Sequence, residues 1–189
     1  MEGLTMVREI ECKVSLAYSE IAEMARRIGL VLPDAIRTSI SKDDIYYTRQ
    51  AEHKALFRLR REENGITITR KEKEERNDGV EVNHEIEFSS PVDDYQALRQ
   101  FFASLAYVPL IEKRKHGTAW VRGTLTVELV EVDGLGWFLE MERLLPDDAS
   151  DTAVEQALLG LAELREHLDI ATYPLESRYY IDMLQALGT

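Results

Sequence analysis

Several features that would assign a protein to a special class are scarce in this sequence. A single cysteine, Cys12, among 189 residues excludes an internal disulfide framework. The four histidines are scattered and form no metal-binding motif. No apolar run approaches the length of a membrane span, and the first residues lack the apolar segment of a signal peptide. We therefore expect a soluble, cytoplasmic protein that does not enter a membrane.

An excess of positive charge is also missing. The formal net charge is −12, from 35 acidic and 23 basic residues. A surface of this sign argues against binding to nucleic acid or to an anionic membrane, so any anionic ligand must be held by local basic clusters. Hydrophobic residues make up 44% of the chain, which is enough for a sizeable core. The length predicts a single domain over residues 1–189.

What the sequence does contain is a repeated alternation of charged and apolar side chains, which begins near the N-terminus. In a β-strand, Glu9, Glu11 and Lys13 lie on one face, and the intervening Ile10 and Cys12 lie on the other. Two carboxylates about 7 Å apart on one face repel each other unless a cation lies between them. Taken alone, the pattern also fits the solvated face of an ordinary antiparallel strand.

The periodicities along the chain predict a mainly β protein with four helices. Strands are predicted over residues 8–14, 44–49, 54–61, 66–73, 80–88, 107–115, 118–122, 125–132 and 137–143, with hairpin turns at 63–65 and 76–79. Helices are predicted over residues 19–28, 91–105, 152–168 and 177–187. Gly29 is the predicted C-cap of the first helix, and capping boxes are predicted at residues 90–93 and 152–155. Residues 31–42 are predicted to form a connection.

The charges on the alternating strands are grouped by sign, strand by strand. The seven acids are Glu9, Glu11, Glu85, Glu87, Glu128, Glu140 and Glu142. The seven bases are Lys13, Arg58, Arg60, Lys71, Lys73, Lys113 and Lys115. Two architectures fit: a sheet with its charged face in solvent, or a barrel whose apolar face lies outward under the helices and whose charged face lines a wet tunnel. The pattern alone does not decide between them.

In a tunnel, this set of side chains would suit a polyphosphate. Arginine forks and lysine ammonium groups bind phosphate oxygens well. Carboxylates facing a phosphate would repel it unless they first bind hard cations such as Mg²⁺ or Mn²⁺. The metal ions would then bridge the protein and the phosphate.

The segment Glu9-x-Glu11-x-Lys13 resembles the signature of the CYTH superfamily, the triphosphate tunnel metalloenzymes. This family includes class IV adenylyl cyclases, thiamine triphosphatases and inorganic triphosphatases. Further segments are similar to family motifs, in the same order: residues 42–47, 58–60, 69–71, 85–87, 111–115, 134–142 and 177–184. Each motif is short, but their common order and spacing extend the resemblance over nearly the whole chain.

The resemblance implies an α+β fold, in which an eight-stranded antiparallel barrel forms a tunnel with a charged interior and helices packed on its outside. The metal ligands that it implies, for Mg²⁺ or Mn²⁺, are Glu9, Glu11, Glu128, Glu140 and Glu142. The triphosphate-binding residues that we predict with it are Arg58, Arg60, Lys71, Lys73, Lys113 and Lys115. Lys13 is expected near the reacting phosphate, where Glu9 and Glu11 complete the catalytic set, and Glu85 and Glu87 are expected to be supporting acids.

Two departures from the family pattern affect this assignment. The chain between Thr126 and Gly136 is longer than in class IV cyclases, so either Glu128 or Val130 aligns with a family aspartate. We choose Glu128, since valine cannot bind a metal. Lys115 occupies a position that is often arginine in the family, and a lysine cannot make the bidentate contact with phosphate that arginine makes.

The sequence defines the tunnel better than it defines the nucleophile. Attack of the ATP 3′-hydroxyl on the α-phosphorus would give cyclic AMP and pyrophosphate, whereas attack of water on the terminal phosphorus would make the protein a triphosphatase. The segments at residues 111–115, 134–138 and 177–180 are most similar to class IV cyclases, which favours the cyclase. The alternatives are a triphosphatase acting on tripolyphosphate or thiamine triphosphate, and a polyphosphate- or nucleotide-binding module without turnover.

Some residues are expected to have purely structural roles. Cys12 lies on the apolar face of its strand and is expected in the core. The tyrosines at positions 46, 47, 179 and 180, and the tryptophans at 120 and 137, are expected to pack rather than to stack on a base. Class IV relatives suggest a homodimer, for which the sequence itself gives no sign.

Overall fold

A computed structural model of the protein describes residues 5–49, 54–74 and 80–188. His53 and the predicted turn at residues 76–79 lie outside the described residues. The side chain of Lys73 also lies outside them, although its backbone belongs to a described strand.

Eight strands form a closed antiparallel barrel. They are β1 (Thr5–Leu16), β2 (Ile36–Arg49), β3 (Phe57–Glu62), β4 (Gly65–Glu74), β5 (Glu81–Ser90), β6 (Tyr107–Arg122), β7 (Leu125–Val132) and β8 (Gly136–Pro146). Their order around the barrel is β1-β5-β4-β3-β2-β6-β7-β8, and pairing of β8 with β1 closes it. Closure leaves every strand with two neighbours. The predicted eight-stranded antiparallel tunnel is confirmed.

Two strands are longer than the sequence pattern suggests. β2 begins at Ile36, so the predicted connection over residues 31–42 is wrong in its second half, where the strand pairs with β6 from Val121 onward. β6 is continuous, so the predicted strands over 107–115 and 118–122 are one. Gly117 lies at the middle of β6, where an added Cβ would be 2.1 Å from the Leu129 carbonyl oxygen. This glycine therefore allows a close approach of β7 rather than ending a strand.

Among the described residues, four α-helices lie outside or at the end of the barrel: α1 (Ile21–Val31), α2 (Tyr95–Ser104), α3 (Asp151–His167) and α4 (Tyr180–Leu187). Gly29 lies inside α1, whose C-cap is Leu32, so the predicted glycine cap is wrong. The predicted cap Ser90 is the last residue of β5, and a short 3₁₀ turn separates it from α2. Ser150 caps α3, since its Oγ accepts a hydrogen bond from the Ala153 N–H at 3.3 Å.

Most buried apolar residues of the strands face outward, toward the helices. Ile10 and Val14 of β1 are fully buried in one cluster with Met24 and Ile28 of α1 and Leu161 of α3. A second cluster joins β2, β3 and α2. Each such side chain stabilises the fold by about 1.5–3 kcal/mol through burial. The helices therefore cover the outside of the barrel, and the charged face is left to line its interior.

Cys12 belongs to the same outer core and is 2% exposed. Burial raises the pKa of its thiol to about 12, which leaves it protonated and unreactive at neutral pH. Its expected packing role is confirmed. No helix in the described part of the chain has the length and apolar character that a membrane span requires.

Candidate active site

The barrel encloses a charged cavity of about 720 Å³. Of the fourteen charged residues predicted from the sequence, all but Lys73, whose side chain lies outside the described residues, contribute to the cavity wall. These thirteen are Glu9, Glu11, Lys13, Arg58, Arg60, Lys71, Glu85, Glu87, Lys113, Lys115, Glu128, Glu140 and Glu142. The alternation of charged and apolar residues therefore identified one continuous internal surface, because successive side chains of a strand point to opposite faces.

Two acids of the tunnel, Glu128 and Glu140, are held by lysines; we call them the lysine-held carboxylates. They lie opposite each other on β7 and β8. The Lys115 ammonium lies 2.6 Å from a Glu140 oxygen and 2.7 Å from a Glu128 oxygen, and Lys42 donates to Glu128 at 2.6 Å. Burial acts to raise the pKa of both carboxyls, but the surrounding lysines together outweigh it and both pKa values are lowered. These are Lys115 with Lys42 for Glu128, and Lys115 with Lys113 for Glu140. Both carboxylates are therefore ionised and neutralised by the protein itself.

Three other acids, Glu9, Glu11 and Glu142, are crowded by like charge; we call them the crowded carboxylates. Glu11 on β1 lies directly opposite Glu142 on β8, and like charges at such a pair of positions destabilise a sheet. Within the described residues, no cationic side chain lies within 4.0 Å of either carboxylate. Burial, followed by the charges of Glu9 and Glu11, raises the pKa of Glu142 well above its usual range.

The pKa values of Glu9 and Glu11 are raised as well. For Glu11, burial and the Glu9 carboxylate are the main causes. For Glu9, burial outweighs the opposing effect of the Lys71 ammonium, which donates to it at 2.5 Å. Lys71 also forms an ion pair with Glu85, so one ammonium is shared between two carboxylates. The positive charge beside the crowded carboxylates is therefore too small to offset their burial and mutual repulsion, and ionisation of these groups is unfavourable.

A buried aspartate that the site prediction missed organises two of the predicted phosphate-binding cations. The carboxylate of Asp44 on β2 accepts from the Arg60 guanidinium at 2.7 and 3.0 Å, and the Lys113 ammonium lies 2.9 Å away. Burial acts to raise the pKa of Asp44, but these two cations hold it well below its usual range. The signal was present in the sequence, since Lys42, Asp44 and Tyr46 alternate along β2 and all but Asp44 line the cavity.

Lys13 is paired with a second acid that the site prediction missed, Glu81 on β5. Its ammonium lies 2.5 Å from a Glu81 oxygen, and both side chains are 3% exposed. Burial acts to lower the pKa of Lys13, but the Glu11 and Glu81 carboxylates outweigh it and the pKa is raised. Lys13 is therefore a permanent cation at neutral pH.

The start of α4 covers part of one end of the tunnel. Tyr180 packs on Phe138 with ring centroids 4.9 Å apart, and its hydroxyl donates to Glu140 at 2.6 Å. The hydroxyl of Tyr179 donates to Asn83 at 2.8 Å, and both tyrosines line the cavity. The expectation that they only pack is therefore incomplete. Tyr47 does pack as expected, stacked on Phe57 at 5.1 Å.

Arg58 retains a hydrogen-bond donor that no group of the described chain accepts from. One nitrogen donates to Thr69 at 2.9 Å, and the nearest carboxylate, that of Glu87, is 3.9 Å away. Its Nε is buried and has no hydrogen-bond partner within the described chain. A buried donor without a partner is costly, so this nitrogen is suited to an anionic ligand in the tunnel.

The model of the CYTH domain family matches residues 7–172, which extend from β1 past the end of α3. The chain belongs to the CYTH family. CYTH tunnel proteins are in general enzymes that act on triphosphates and depend on divalent cations. A search of curated proteins finds no match to this CYTH chain.

Solved structures share the fold of this CYTH protein at low sequence identity. A protein from Pyrococcus horikoshii is 24% identical, with a TM-score of 0.69 over 94% of this chain and 98% of that one. A candidate adenylate cyclase from Vibrio parahaemolyticus is 16% identical, with a TM-score of 0.71 over 97% and 99%. A Hippeastrum protein, described as a candidate adenylyl cyclase with a dominant triphosphatase activity, is 15% identical, with a TM-score of 0.58 over 91% and 90%.

The CYTH tunnel contains oxygen donors of the kind that a hard divalent cation prefers. Within residues 5–49, 54–74 and 80–188, no three histidine, cysteine, aspartate or glutamate side chains lie close enough, as they stand, to hold a metal ion. The facing pair Glu11 and Glu142 nevertheless fits a cation, because their mutual repulsion and raised pKa values are what a bound positive charge would relieve. Binding would require these side chains to turn toward a common point.

Proposed function

We propose that this CYTH protein is a divalent-cation-dependent enzyme that converts ATP to cyclic AMP and pyrophosphate inside the tunnel. The observation that carries this proposal is that acidic and basic groups of side chains lie side by side in one cavity. The crowded carboxylates Glu9, Glu11 and Glu142 lie beside cations suited to phosphate, with Lys71 in contact with Glu9. A triphosphate with a bound metal ion carries the complementary pattern of charges.

The proposed triphosphate ligands are cations on strands β3, β4 and β6. They are Arg58, Arg60, Lys71, Lys113 and Lys115, with Lys73 as a further candidate whose side chain lies outside the described residues. The unpartnered Nε of Arg58 supports a direct phosphate contact. Arg60, Lys71, Lys113 and Lys115 each form an ion pair with a carboxylate of the barrel interior. A triphosphate would compete with those carboxylates for the same cations.

Lys13 would lie beside the reacting phosphate as a fixed positive charge. Because its pKa is raised, it carries its proton at neutral pH and cannot serve as a general base. Glu81 holds the ammonium in place, and the ring of Tyr180 lies 5.5 Å from it. This arrangement would neutralise the charge that develops on a phosphate oxygen.

The crowded carboxylates would hold the divalent cation, Mg²⁺ or Mn²⁺, with Glu128 and Glu140 as further ligands. When bound, the cation supplies charge neutralisation for the phosphate oxygens. The lysine-held carboxylates would become free to act as ligands once Lys115 turns toward phosphate and, for Glu128, once Lys42 also turns away. Glu85 would then remain to orient Lys71, with which it forms an ion pair.

In cyclisation, the ATP 3′-hydroxyl oxygen bonds to the α-phosphorus, and the bond from that phosphorus to the oxygen bridging the β-phosphate breaks. The proton of the hydroxyl ends on the departing pyrophosphate, so the atoms balance. Pyrophosphate leaves with added negative charge, which the ammonium and guanidinium groups of the tunnel neutralise. The resemblance of residues 111–115, 134–138 and 177–180 to class IV cyclases supports this reaction, as does the similarity to the Vibrio protein.

A second candidate reaction is hydrolysis of tripolyphosphate or thiamine triphosphate by water attack on the terminal phosphorus. The similarity to the Hippeastrum protein, which is described as having dominant triphosphatase activity, favours it. The same cations and carboxylates would serve, because positioning and charge neutralisation account for most of the catalysis in both reactions. A binding module without turnover is the third alternative, against which the complete set of tunnel acids argues.

Product analysis tests the proposal. Purified protein is incubated with ATP and Mg²⁺ or Mn²⁺, with tripolyphosphate and thiamine triphosphate in parallel. We expect cyclic AMP and pyrophosphate in equal amounts. Orthophosphate without a cyclic product would establish the triphosphatase instead. Absence of turnover with every substrate would contradict both reactions.

A further inference from the structure

Two neighbouring strands of the barrel differ greatly in length. β2 has 14 residues, whereas β3, its neighbour on one side, has six. Pairing between them ends at Asp43 and Arg61, after which β3 turns back into β4. On its other side, β2 pairs with β6 along its whole length. Within the described part of the chain, residues 36–42 of β2 therefore have no paired strand on the β3 side, and we call this stretch the free edge.

Backbone groups of the free edge point away from β6. The Tyr47 carbonyl accepts from the Leu56 N–H, just ahead of β3, at 2.8 Å, so the backbone of Tyr47 faces the β3 side. The register shift of the β2–β6 ladder adds a residue on β6 and leaves β2 regular. Successive residues of a strand direct their N–H and C=O groups to alternate sides. The backbone groups of Arg37, Ser39 and Ser41 therefore point into the space that β3 leaves open.

The free edge is accessible to another chain. Its side chains at positions 37, 39 and 41 are exposed. It contains neither a proline nor a bulge, with which proteins often protect an unpaired edge. The Arg37 guanidinium lies 5.4 Å from the Trp120 ring. At the other end, Lys42 donates to Glu128 at 2.6 Å, so neither cation occupies the space beside the strand.

A groove of about 1080 Å³ lies along the free edge. Its walls are Thr38, Ser39, Ile40 and Ser41 of β2, residues 62–67 around the β3–β4 turn, and residues 89–91 at the end of β5. Neighbouring side chains of a strand point to opposite faces, so a groove that contacts both kinds opens on the edge of β2. The Ser39 carbonyl accepts from the Thr38 hydroxyl at 3.3 Å, and its second lone pair remains for a strand in the groove.

The charge of this groove is negative. Glu62 and Glu63 both line it, and within the described residues no lysine or arginine does. The Ser90 hydroxyl, which also lines the groove, donates to Asp94 and brings a third carboxylate beside it. A second copy of this chain would carry the same acids and the same net charge of −12, and would be repelled. A basic chain would be attracted.

We propose that the free edge of β2 binds a basic, extended segment of a partner polypeptide, which adds a strand to the sheet beside residues 36–42. The backbone of that segment would pair with Arg37, Ser39 and Ser41, as in other cases of strand addition. Its lysine or arginine side chains would face Glu62 and Glu63. This inference does not depend on which reaction the tunnel catalyses.

Fluorescence anisotropy with labelled heptapeptides tests the proposal. The probe alternates lysine with valine. One matched probe carries N-methyl groups on all its backbone nitrogens, and another has glutamate in place of lysine. We expect the lysine probe to bind and each matched probe to bind at least roughly tenfold more weakly, because N-methylation removes the hydrogen bonds to the edge and glutamate meets the acids of the groove.

Two variants locate the site. Ser39→Pro removes a backbone N–H that points away from β6, and should weaken binding of the lysine probe by roughly tenfold. Its matched control, Ser39→Ala, keeps the N–H and should bind within about twofold of the native protein. Glu63→Lys should weaken binding by roughly fivefold, whereas Glu155→Lys, the same charge change at an exposed residue of α3, should change it by less than about twofold.

The proposal is overturned if the lysine probe does not bind, or if the N-methylated probe binds equally well, since the attraction would then be of charge alone. Equal binding by Ser39→Pro and Ser39→Ala would overturn it too. Sedimentation of the protein without peptide tests the second copy, because a dimer that Ser39→Pro dissociates would assign the edge to self-assembly. If Ser39→Pro does not fold, equal binding by Glu63→Lys and Glu155→Lys overturns the proposal, and selective weakening by Glu63→Lys supports it.

Discussion

The crowded and the lysine-held carboxylates are the same residue type on neighbouring strands of one tunnel, yet their electrostatic states are opposite. Glu128 and Glu140 lie opposite each other and share the ammonium of Lys115, and their pKa values are lowered. Glu11 and Glu142 also lie opposite each other, and their pKa values are raised. The difference comes from Lys115, which bridges the first pair and has no counterpart at the second pair among the described side chains.

This difference shows which carboxylates of the tunnel need a positively charged ligand. The lysine-held pair is neutralised by the protein's own cations, so it gains little from another positive charge. Glu11 and Glu142 have no such ion pair within the described part of the chain, and Glu9 shares the ammonium of Lys71 with Glu85, so a divalent cation would supply the missing compensation. The comparison can therefore be tested by substitutions that remove one carboxylate from each group.

The largest effect is expected on turnover. Glu142→Gln should reduce kcat/KM for the preferred triphosphate by roughly a thousandfold, because loss of one metal ligand removes several kcal/mol of charge stabilisation. Rates at saturating Mg²⁺ or Mn²⁺ measure this. Glu131→Gln, which changes an acid of β7 outside the tunnel wall, is the matched control. Activity of Glu142→Gln within about tenfold of the native enzyme would remove Glu142 from the metal site.

Stability of the metal-free protein should change in opposite directions for the two groups. Glu128→Gln leaves Lys42 and Lys115 short of a buried partner and should lower the free energy of unfolding by about 3 kcal/mol. Glu142→Gln removes a repulsion and should raise it by about 1 kcal/mol. Urea denaturation in the presence of a chelator measures both. Destabilisation by both variants would show that the two groups do not differ as described.

The sequence predicted which side chains share the tunnel but not how they are paired. Glu9, Glu11 and Lys13 were assigned to one face by alternation, a local property of a strand. The partner of Lys13 is Glu81, which is 68 residues away and becomes its neighbour only through closure of the barrel. Whether a carboxylate is crowded or held therefore depends on registers between strands, which alternation does not encode.

The errors in the fold prediction have a similar origin. The first half of β2 is polar and mostly exposed, so no periodic signal marked it, and its pairing with β6 makes it a strand. The predicted gap at residues 116–117 divided β6 in two, whereas Gly117 continues the strand and allows the close approach of β7. Asp44 belongs to the motif at residues 42–47 but was given no role in the site, because its partners Arg60 and Lys113 are brought to it only by the pairing of strands.

Asp44 is a third carboxylate that the protein's own cations neutralise, and it should make the free energy of unfolding depend on pH under acidic conditions. Its folded-state pKa lies well below the value of about 3.9 that an unfolded aspartate has, so its stabilising contribution is present above that pH and is lost as the pH falls below it. Asp44→Asn should reduce the slope of unfolding free energy against pH by up to one proton, about 1.4 kcal/mol per pH unit.

Urea denaturation between pH 2 and pH 5, roughly the range in which an aspartate of the unfolded chain takes up its proton, gives the slopes. Asp93→Asn, at an exposed residue ahead of α2, is the control and should leave the slope as it is in the native protein. An unchanged slope in Asp44→Asn would show that Arg60 and Lys113 do not stabilise the ionised form.

The smallest effect on stability is expected where α4 contacts Glu140, one of the lysine-held carboxylates. Tyr180→Phe removes the hydrogen bond to Glu140 and should lower the free energy of unfolding by about 1 kcal/mol. The ring still packs on Phe138, so the fold should remain intact. Urea denaturation compares it with Tyr18→Phe, at a tyrosine that is 82% exposed. Equal stability of the two variants would mean that this hydrogen bond contributes nothing to the fold.

The central claim, that the crowded carboxylates form the cation site, is tested most directly by Mn²⁺ binding to the substrate-free protein, followed by electron paramagnetic resonance. The account predicts that the native protein and Glu131→Gln bind Mn²⁺ and that Glu11→Gln and Glu142→Gln each weaken binding by roughly a hundredfold. Native-like Mn²⁺ affinity in both crowded-carboxylate variants would contradict the account.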